Sequence, residues 1–351
     1  MRACSRCVLP EVYPGISFDE EGVCNYCRER RPPQYQGEEA LWVELSKYRG
    51  AGRDYDCLVP VSGGRDSVFV LTEVVRRSEL RVAAFHYENG FQVSVAKKNV
   101  ERATETLEVP LLTVRSRFNA HAKCVRDNIE HFAHVDPLEV AGRLCYGCSR
   151  GYQGAAYQTA KRHGVPVVVF GASAVEESLY KKIVFAPYKS TAAKKFGFLL
   201  GKPIFLLHYL VLLTQFPLVE QKKDVAWVNF FEYVPWNEQR ILDTIEKEVG
   251  WQSHPELTST WRFDCLAHAA LEHLTERLLG FGEKEEFYSV LIREGQLTRQ
   301  EALRRLEAHR ADEPVRHKLM EEFFAVLGLP EKYREYIRTG GRFSTGPSEA
   351  R

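Results

Sequence analysis

Cys57-Leu58-Val59-Pro60-Val61-Ser62-Gly63-Gly64-Arg65-Asp66-Ser67 decides the reading of this chain. An apolar run of strand length ends in a serine and two adjacent glycines, and a helical pattern follows at once over Ser67–Arg77. Paired glycines let the backbone approach an anion and turn its amides towards it, and the start of the next helix adds the positive end of its dipole. The turn is therefore suited to phosphate. Its spacing differs from G-x-x-x-x-G-K-[ST], and no G-x-G-x-x-G follows a strand elsewhere.

Outward from this turn, strand-like runs at Asp56–Val61, Arg81–His86, Leu111–Val114 and Val165–Gly171 alternate with helical patterns over Val93–Leu107 and Tyr152–His163. That alternation predicts an α/β fold, a doubly wound parallel sheet forming a nucleotide-binding domain. Ligands of such sheets lie at the carboxyl ends of the strands. Three places there are singled out: the turn itself, the stretch from His86 to Asn89, and Gly171-Ala172-Ser173 leading to Glu176.

Nine cysteines stand in the chain. Cys4/Cys7 and Cys24/Cys27 form two C-x-x-C pairs, a spacing that makes a tetrahedral thiolate cage for structural zinc. Cys145-Tyr146-Gly147-Cys148 is a third pair, just before a helix, and Cys265 is a distant single thiol. A second structural zinc site or simple burial is the competing reading of these three. Cys57, inside the first strand, and Cys124 have no partner by spacing and are read as packing residues.

The turn Ser62-Gly63-Gly64-Arg65-Asp66-Ser67 resembles the SGG-x-DS loop of the PP-loop ATP pyrophosphatases. That resemblance implies a HUP-like fold, and a loop of Ser62, Gly63, Gly64, Arg65, Asp66 and Ser67 that holds the pyrophosphate of ATP while a substrate oxygen is adenylated, with Asp66 central to the chemistry. It also implies that His86 and Asn89 receive the adenosine. Gly171, Ser173 and Glu176 would close over the phosphates, and Glu176 would help to hold Mg2+.

The opening Cys4-Ser5-Arg6-Cys7-Val8-Leu9-Pro10, with Pro14-Gly15-Ile16-Ser17-Phe18-Asp19 and Gly22-Val23-Cys24-Asn25-Tyr26-Cys27, resembles the N-acetyl sugar amidotransferases of surface-polysaccharide biosynthesis. So do Gly280-Phe281-Gly282-Glu283-Lys284 and Ile292-Arg293-Glu294-Gly295. Ammonia from a glutaminase partner would then replace an acetamido oxygen. The pair Cys145/Cys148 departs from that group. Together with Cys265 it is similar to the trio that holds a [4Fe-4S] cluster in the iron-sulfur PP-loop thiolases, where sulfur replaces the activated oxygen. Without a cluster, the pair would serve as a persulfide carrier and resolving thiol, because thiolates at a helix N-terminus are stabilised. Sulfur transfer is the leading expectation and ammonia transfer the alternative; an ATP-binding scaffold without chemistry is the weakest.

A net charge of +1 over 351 residues gives no overall pull towards nucleic acid or membrane. A small-molecule or sugar substrate is expected ahead of tRNA, with a sulfur donor or glutaminase as protein partner and a homo-oligomer as assembly. The polar start Met1-Arg2-Ala3-Cys4 has no apolar signal region, so a cytoplasmic enzyme is expected.

The stretch Leu179 to Val219 is basic, with Lys181, Lys182, Lys189, Lys194, Lys195 and Lys202 and no acid until Glu220, and it runs into apolar residues 203–213, too few to span a bilayer. Beyond Phe230 the pattern is mostly helical, over Asn237–Lys247, Leu266–Leu279, Lys284–Glu294 and from Thr298. The expected divisions are a knuckle segment (1–35), the ATP-binding domain (36–178), a lid or substrate segment (179–225), a helical region (226–338) and a disordered tail (339–351).

Overall fold

The computed structural model describes residues 2–145, 148–173, 179–185 and 224–343, together with 206–208, 210, 211 and 214. Glu176, Lys189, Lys194, Lys195, Lys202 and the tail beyond 343 fall outside the described residues.

Five parallel strands form one sheet: β1 (Cys57–Pro60), β2 (Val82–Glu88), β3 (Leu111–Arg115), β4 (Val167–Phe170) and β5 (Ala226–Asn229), in the order β3-β2-β1-β4-β5. The first strands add on one side of β1 and the last two on the other. The order therefore reverses between β1 and β4, which makes their carboxyl ends the topological switch point.

Both faces of the sheet are covered, so the strands read as continuous apolar runs rather than alternating ones. Successive residues nonetheless face opposite ways. Cys57 and Val59 of β1, with Val167 and Val169 of β4, pack into the larger core. Leu58, Val168, Ala83 and Phe85 pack into a smaller one against Ala155, Ala156 and Ala160 of the helix Cys148–His163.

The α/β class and doubly wound parallel sheet agree with the expectation, and the strand ends fall within two residues of it. The residues at 226–229, expected in the helical region, instead form the edge strand β5, so the sheet is completed from beyond the basic segment. A four-residue strand this far from β4 has no local pattern to announce it. Helices at Glu38–Ser46, Ala120–Phe132, Pro137–Leu144, Glu313–Leu327 and Glu331–Arg338 are additional to those expected. Among the described residues no helix is long and apolar enough to cross a membrane.

Candidate active site

Gly64 caps the helix Arg65–Arg77, which starts two residues earlier than its pattern suggests, so Arg65 and Asp66 sit in its first turn. Gly63 has φ +86, and a Cβ there would lie 2.0 Å from the Ala96 carbonyl oxygen. Only glycine satisfies both conditions.

The Gly63 carbonyl is pinned from behind by Trp251 Nε1 at 3.0 Å and by Asn99 Nδ2 at 3.2 Å. In a trans peptide the amide N–H points opposite to the carbonyl. Fixing that carbonyl therefore fixes the direction of the Gly64 N–H, which here reaches Ser62 Oγ at 3.2 Å. Ser62 and Ser67 face each other at 3.2 Å between their hydroxyl oxygens, so both ends of the turn are held together. Gln92 Nε2 donates to the Ser62 carbonyl.

The Arg65 side chain does not line the cleft. Its guanidinium is buried, bonded to Glu238 Oε1 at 2.8 Å and to Thr260 Oγ1 at 2.9 Å, and lies over the Trp236 ring. It also contacts Asp66 Oδ1 at 3.2 Å.

Above the turn lies a cleft of about 380 Å3 walled by the ends of β1, β2 and β4. Ser62, Ser67, His86, Asn89, Gly171 and Cys148 line it, as do Cys265 and Asp264. His86 Nδ1 donates to the Val61 carbonyl at 2.8 Å. Asn229, at the end of β5, holds the Ala172 backbone through both its amide groups at 2.9 Å. Ser173 is buried beside this loop.

The mid-chain cysteines converge here from three helices. Cys145 ends Pro137–Leu144, Cys148 opens Cys148–His163, and Cys265 caps Leu266–Leu279. Gly151 makes the approach of Cys148 feasible, since a Cβ at that position would strike the Tyr87 ring at 2.7 Å. Cys265 arrives through a short antiparallel bridge to Gln92, with Leu266 N donating to Phe91 O at 2.7 Å. Asn89 Nδ2 donates to Cys148 Sγ at 3.5 Å, a partner that its sequence context did not suggest.

For these thiols burial works against any stabilisation from the helix starts. Burial pushes all three thiols up, Cys145 to about 12; neighbouring cysteines add to the effect at Cys145 and Cys265, and Asp264 adds to it at Cys148. A helix terminus contributes about 0.3–1 kcal/mol, less than the several kcal/mol that burying a charge costs. The expectation of stabilised thiolates is corrected accordingly. The trio is not among the described groups whose ligand atoms lie within 4.8 Å of one another, the spacing for a single shared ion. Thiolates on different irons of a cluster stand farther apart, so Cys148 and Cys265 in the cleft lining, with Cys145 near them, remain compatible with that donor set.

Cys4, Cys7, Cys24 and Cys27 do form such a group, all buried. Amides of Arg6, Cys7 and Cys24 donate to Cys4 Sγ at 3.2–3.4 Å, and Cys7 Sγ lies 3.8 Å from Cys24 Sγ. Four converging sulfurs, with amides directed at one of them, fit a closed tetrahedral metal site. Cys57 and Cys124 are buried in the two cores, as packing residues should be.

Asp264, Asn99, Trp251 and Gln92 are site residues that motif spacing did not reveal. Asp264 Oδ2 lies 3.1 Å from where a Gly64 Cβ would stand, so it borders the turn directly. Its position next to Cys265 was the one available signal.

Residues 272–340 match the family described as LPS biosynthesis protein WbpG-like, C-terminal domain. An uncharacterized protein of Methanocaldococcus jannaschii is 24% identical over 213 residues, 57% of this chain and 73% of its own length. Among solved structures, NMN synthetase from Francisella tularensis is similar at 12% identity and TM-score 0.35, covering 80% of this chain and 95% of its own. The U34-tRNA thiolase NcsA from Methanococcus maripaludis, with its [4Fe-4S] cluster, is similar at 12% identity and TM-score 0.34, covering 94% of this chain and 90% of its own. Residues 272–340, similar to a WbpG-like C-terminal domain, follow the parallel sheet whose first strand runs into the glycine turn.

Proposed function

We propose that this protein uses ATP to adenylate a carbonyl or amide oxygen of a small molecule or sugar and then replaces that oxygen with sulfur. One observation carries the reading: Cys148 and Cys265 line the same cleft as Ser62 and Ser67 of the glycine turn.

In the first step the substrate oxygen attacks the α-phosphorus and pyrophosphate leaves. Ser62, Ser67 and the Gly64 amide hold the departing phosphates, while Asp66 and the helix it opens bias the turn towards Mg2+-bound anion. Asp264 is the described carboxylate beside the turn and a candidate for the role first given to Glu176. His86 and Asn89 border the space left for the nucleoside. In the second step hydrosulfide adds to the activated carbon, AMP departs with the former oxygen, and a proton is released, so no redox change is needed.

Cys145, Cys148 and Cys265 would hold a [4Fe-4S] cluster, which supplies an iron without a protein ligand at which inorganic sulfide can be kept. The persulfide variant instead leaves two of these cysteines as a disulfide after transfer, to be reduced by an external thiol. The four-cysteine site would take zinc, closed and structural.

A second reading, ammonia in place of sulfide with a glutaminase partner, is favoured by the match of residues 272–340 to an LPS biosynthesis domain. Metal analysis separates the two. On anaerobically purified protein the sulfur reading expects about one zinc per chain plus iron and acid-labile sulfide, with the iron and sulfide lost in Cys145→Ala/Cys148→Ala and the zinc kept. Zinc alone, with no persulfide, would hand the conclusion to the ammonia reading.

A further inference from the structure

Beside Cys265, residues between Leu257 and Leu319 line a second and much smaller cavity of about 30 Å3. It has room for one or two water-sized molecules and for nothing as large as a phosphate or a sugar. Cys265 is the wall that it shares with the ATP-sized cleft.

Buried charged and polar side chains stand among its mostly apolar lining. Glu272 is 3% exposed and Lys284 3%, and both face it, as do His268, His309 and Arg316. Most of these groups satisfy one another. Lys284 Nζ donates to Ser259 Oγ at 3.0 Å and to the Trp261 carbonyl at 3.1 Å, and Arg316 Nε lies 3.5 Å from Glu272 Oε2.

Two atoms do not fit that pattern. His268 is 9% exposed, and its Nε2 is buried without a hydrogen-bond partner among the described residues. Glu272 Oε1 makes an ion contact with His309 Nε2 at 3.2 Å but has no properly directed hydrogen bond. Leaving such atoms unsatisfied costs about 1–3 kcal/mol each. A buried space with unmet polar atoms is a place for a small molecule that carries hydrogens.

We infer that this cavity holds the small protic nucleophile, hydrosulfide or ammonia, that completes the reaction, and that it passes into the main cleft beside Cys265. The inference rests on the reading that a second nucleophile follows adenylation, but not on which one. Ammonia, or hydrosulfide taken up in its protonated form, has the size and the hydrogens that His268 Nε2 and Glu272 Oε1 call for.

The test is thermal unfolding of the full chain at constant ionic strength, with sodium chloride replaced stepwise by ammonium chloride or by sodium hydrosulfide. A saturable rise in Tm of about 2 °C or more is expected with one of the two salts, and identifies the occupant. Ala269→Leu fills the cavity and should abolish the rise. His268→Leu removes the unmet nitrogen and should do the same, which guards against a misfolded first variant. Cys145→Ala/Cys148→Ala should keep the rise, because neither residue lines the cavity; this separates the site from sulfide taken up by a cluster. If neither salt gives a saturable rise over sodium chloride, or if the rise survives in both cavity variants, water alone fills the space and the inference is overturned. Metal content, measured on the same samples, tests the sulfur reading independently.

Discussion

Arg65 donates from Nη1 to Glu238 Oε1 at 2.8 Å, so a residue of the glycine turn is committed to the helical region rather than to the cleft. Glu238 gives its other oxygen to Arg305 at 2.6 Å. One carboxylate thus ties the turn to a helix near the far end of the chain, and the Arg65 side chain is only 2% exposed. Removing one partner of a buried pair leaves the other charge uncompensated.

Glu238→Gln should therefore destabilise the protein by about 3 kcal/mol, measured as a lower denaturant midpoint at unchanged slope. An Arg65→Met/Glu238→Gln double variant should recover most of that loss. No recovery would show that Glu238 acts mainly through Arg305.

Trp251→Phe deletes one of the two donors on the Gly63 carbonyl while keeping the aromatic bulk. Stability should fall by about 1 kcal/mol. ATP affinity, measured by calorimetry with Mg2+, should fall about tenfold, because the Gly64 amide is no longer aimed. Unchanged affinity would detach Trp251 from the anion-binding role of the turn.

Cys24→Ala should release the metal, and the chelator-treated wild type should match it in lowered Tm. Ser289→Ala is the control. It loses the bond from the Val8 amide at 3.2 Å and should keep the zinc. Metal-free protein melting at the wild-type temperature would refute the structural role.

Asp56, 1% exposed, accepts from Arg81 Nη2 at 2.7 Å and from the amides of Gly52 and Arg81 at 3.1 Å. The Arg81 guanidinium and these amides hold its carboxyl well below the usual carboxylate range. A lowered folded-state pKa gives stability that is present above the unfolded value near 4 and is lost as pH falls through the folded one. Asp56→Asn should cost about 2 kcal/mol at pH 7 and progressively less below pH 4. A pH-independent difference between the two proteins would exclude the linkage.

Local chemistry made the turn, the knuckle and the first four strands legible in the sequence, because each depends on neighbours within a few residues. Gly63 announces its own φ, and the pairs Cys4/Cys7 and Cys24/Cys27 announce one another. Trp251 and Asn99 were not legible, since each is an ordinary buried side chain until the fold brings it behind Gly63. The thiols misled in a different way. Their helix-start positions could be read, but their burial depends on packing from three separate helices and pushes their pKa values up, against the helix-start effect.

The four-cysteine knuckle is not an independent bead at one end of the molecule. Val8 bonds to Ser289, Arg299 Nε reaches the carbonyls of Cys4 and Cys7, and Tyr13 bonds to Glu286. During synthesis these first residues are made early, yet the surface that receives them does not exist until nearly 300 residues have been made. Loops that long close slowly, and contacts of such separation reward the chain only late in folding. A ribosome that stalls before Ser289 would leave the knuckle without the partners that bury Val8, Leu9 and Tyr13. The completeness of the message would thus be registered in whether residues 4–13 find their seat.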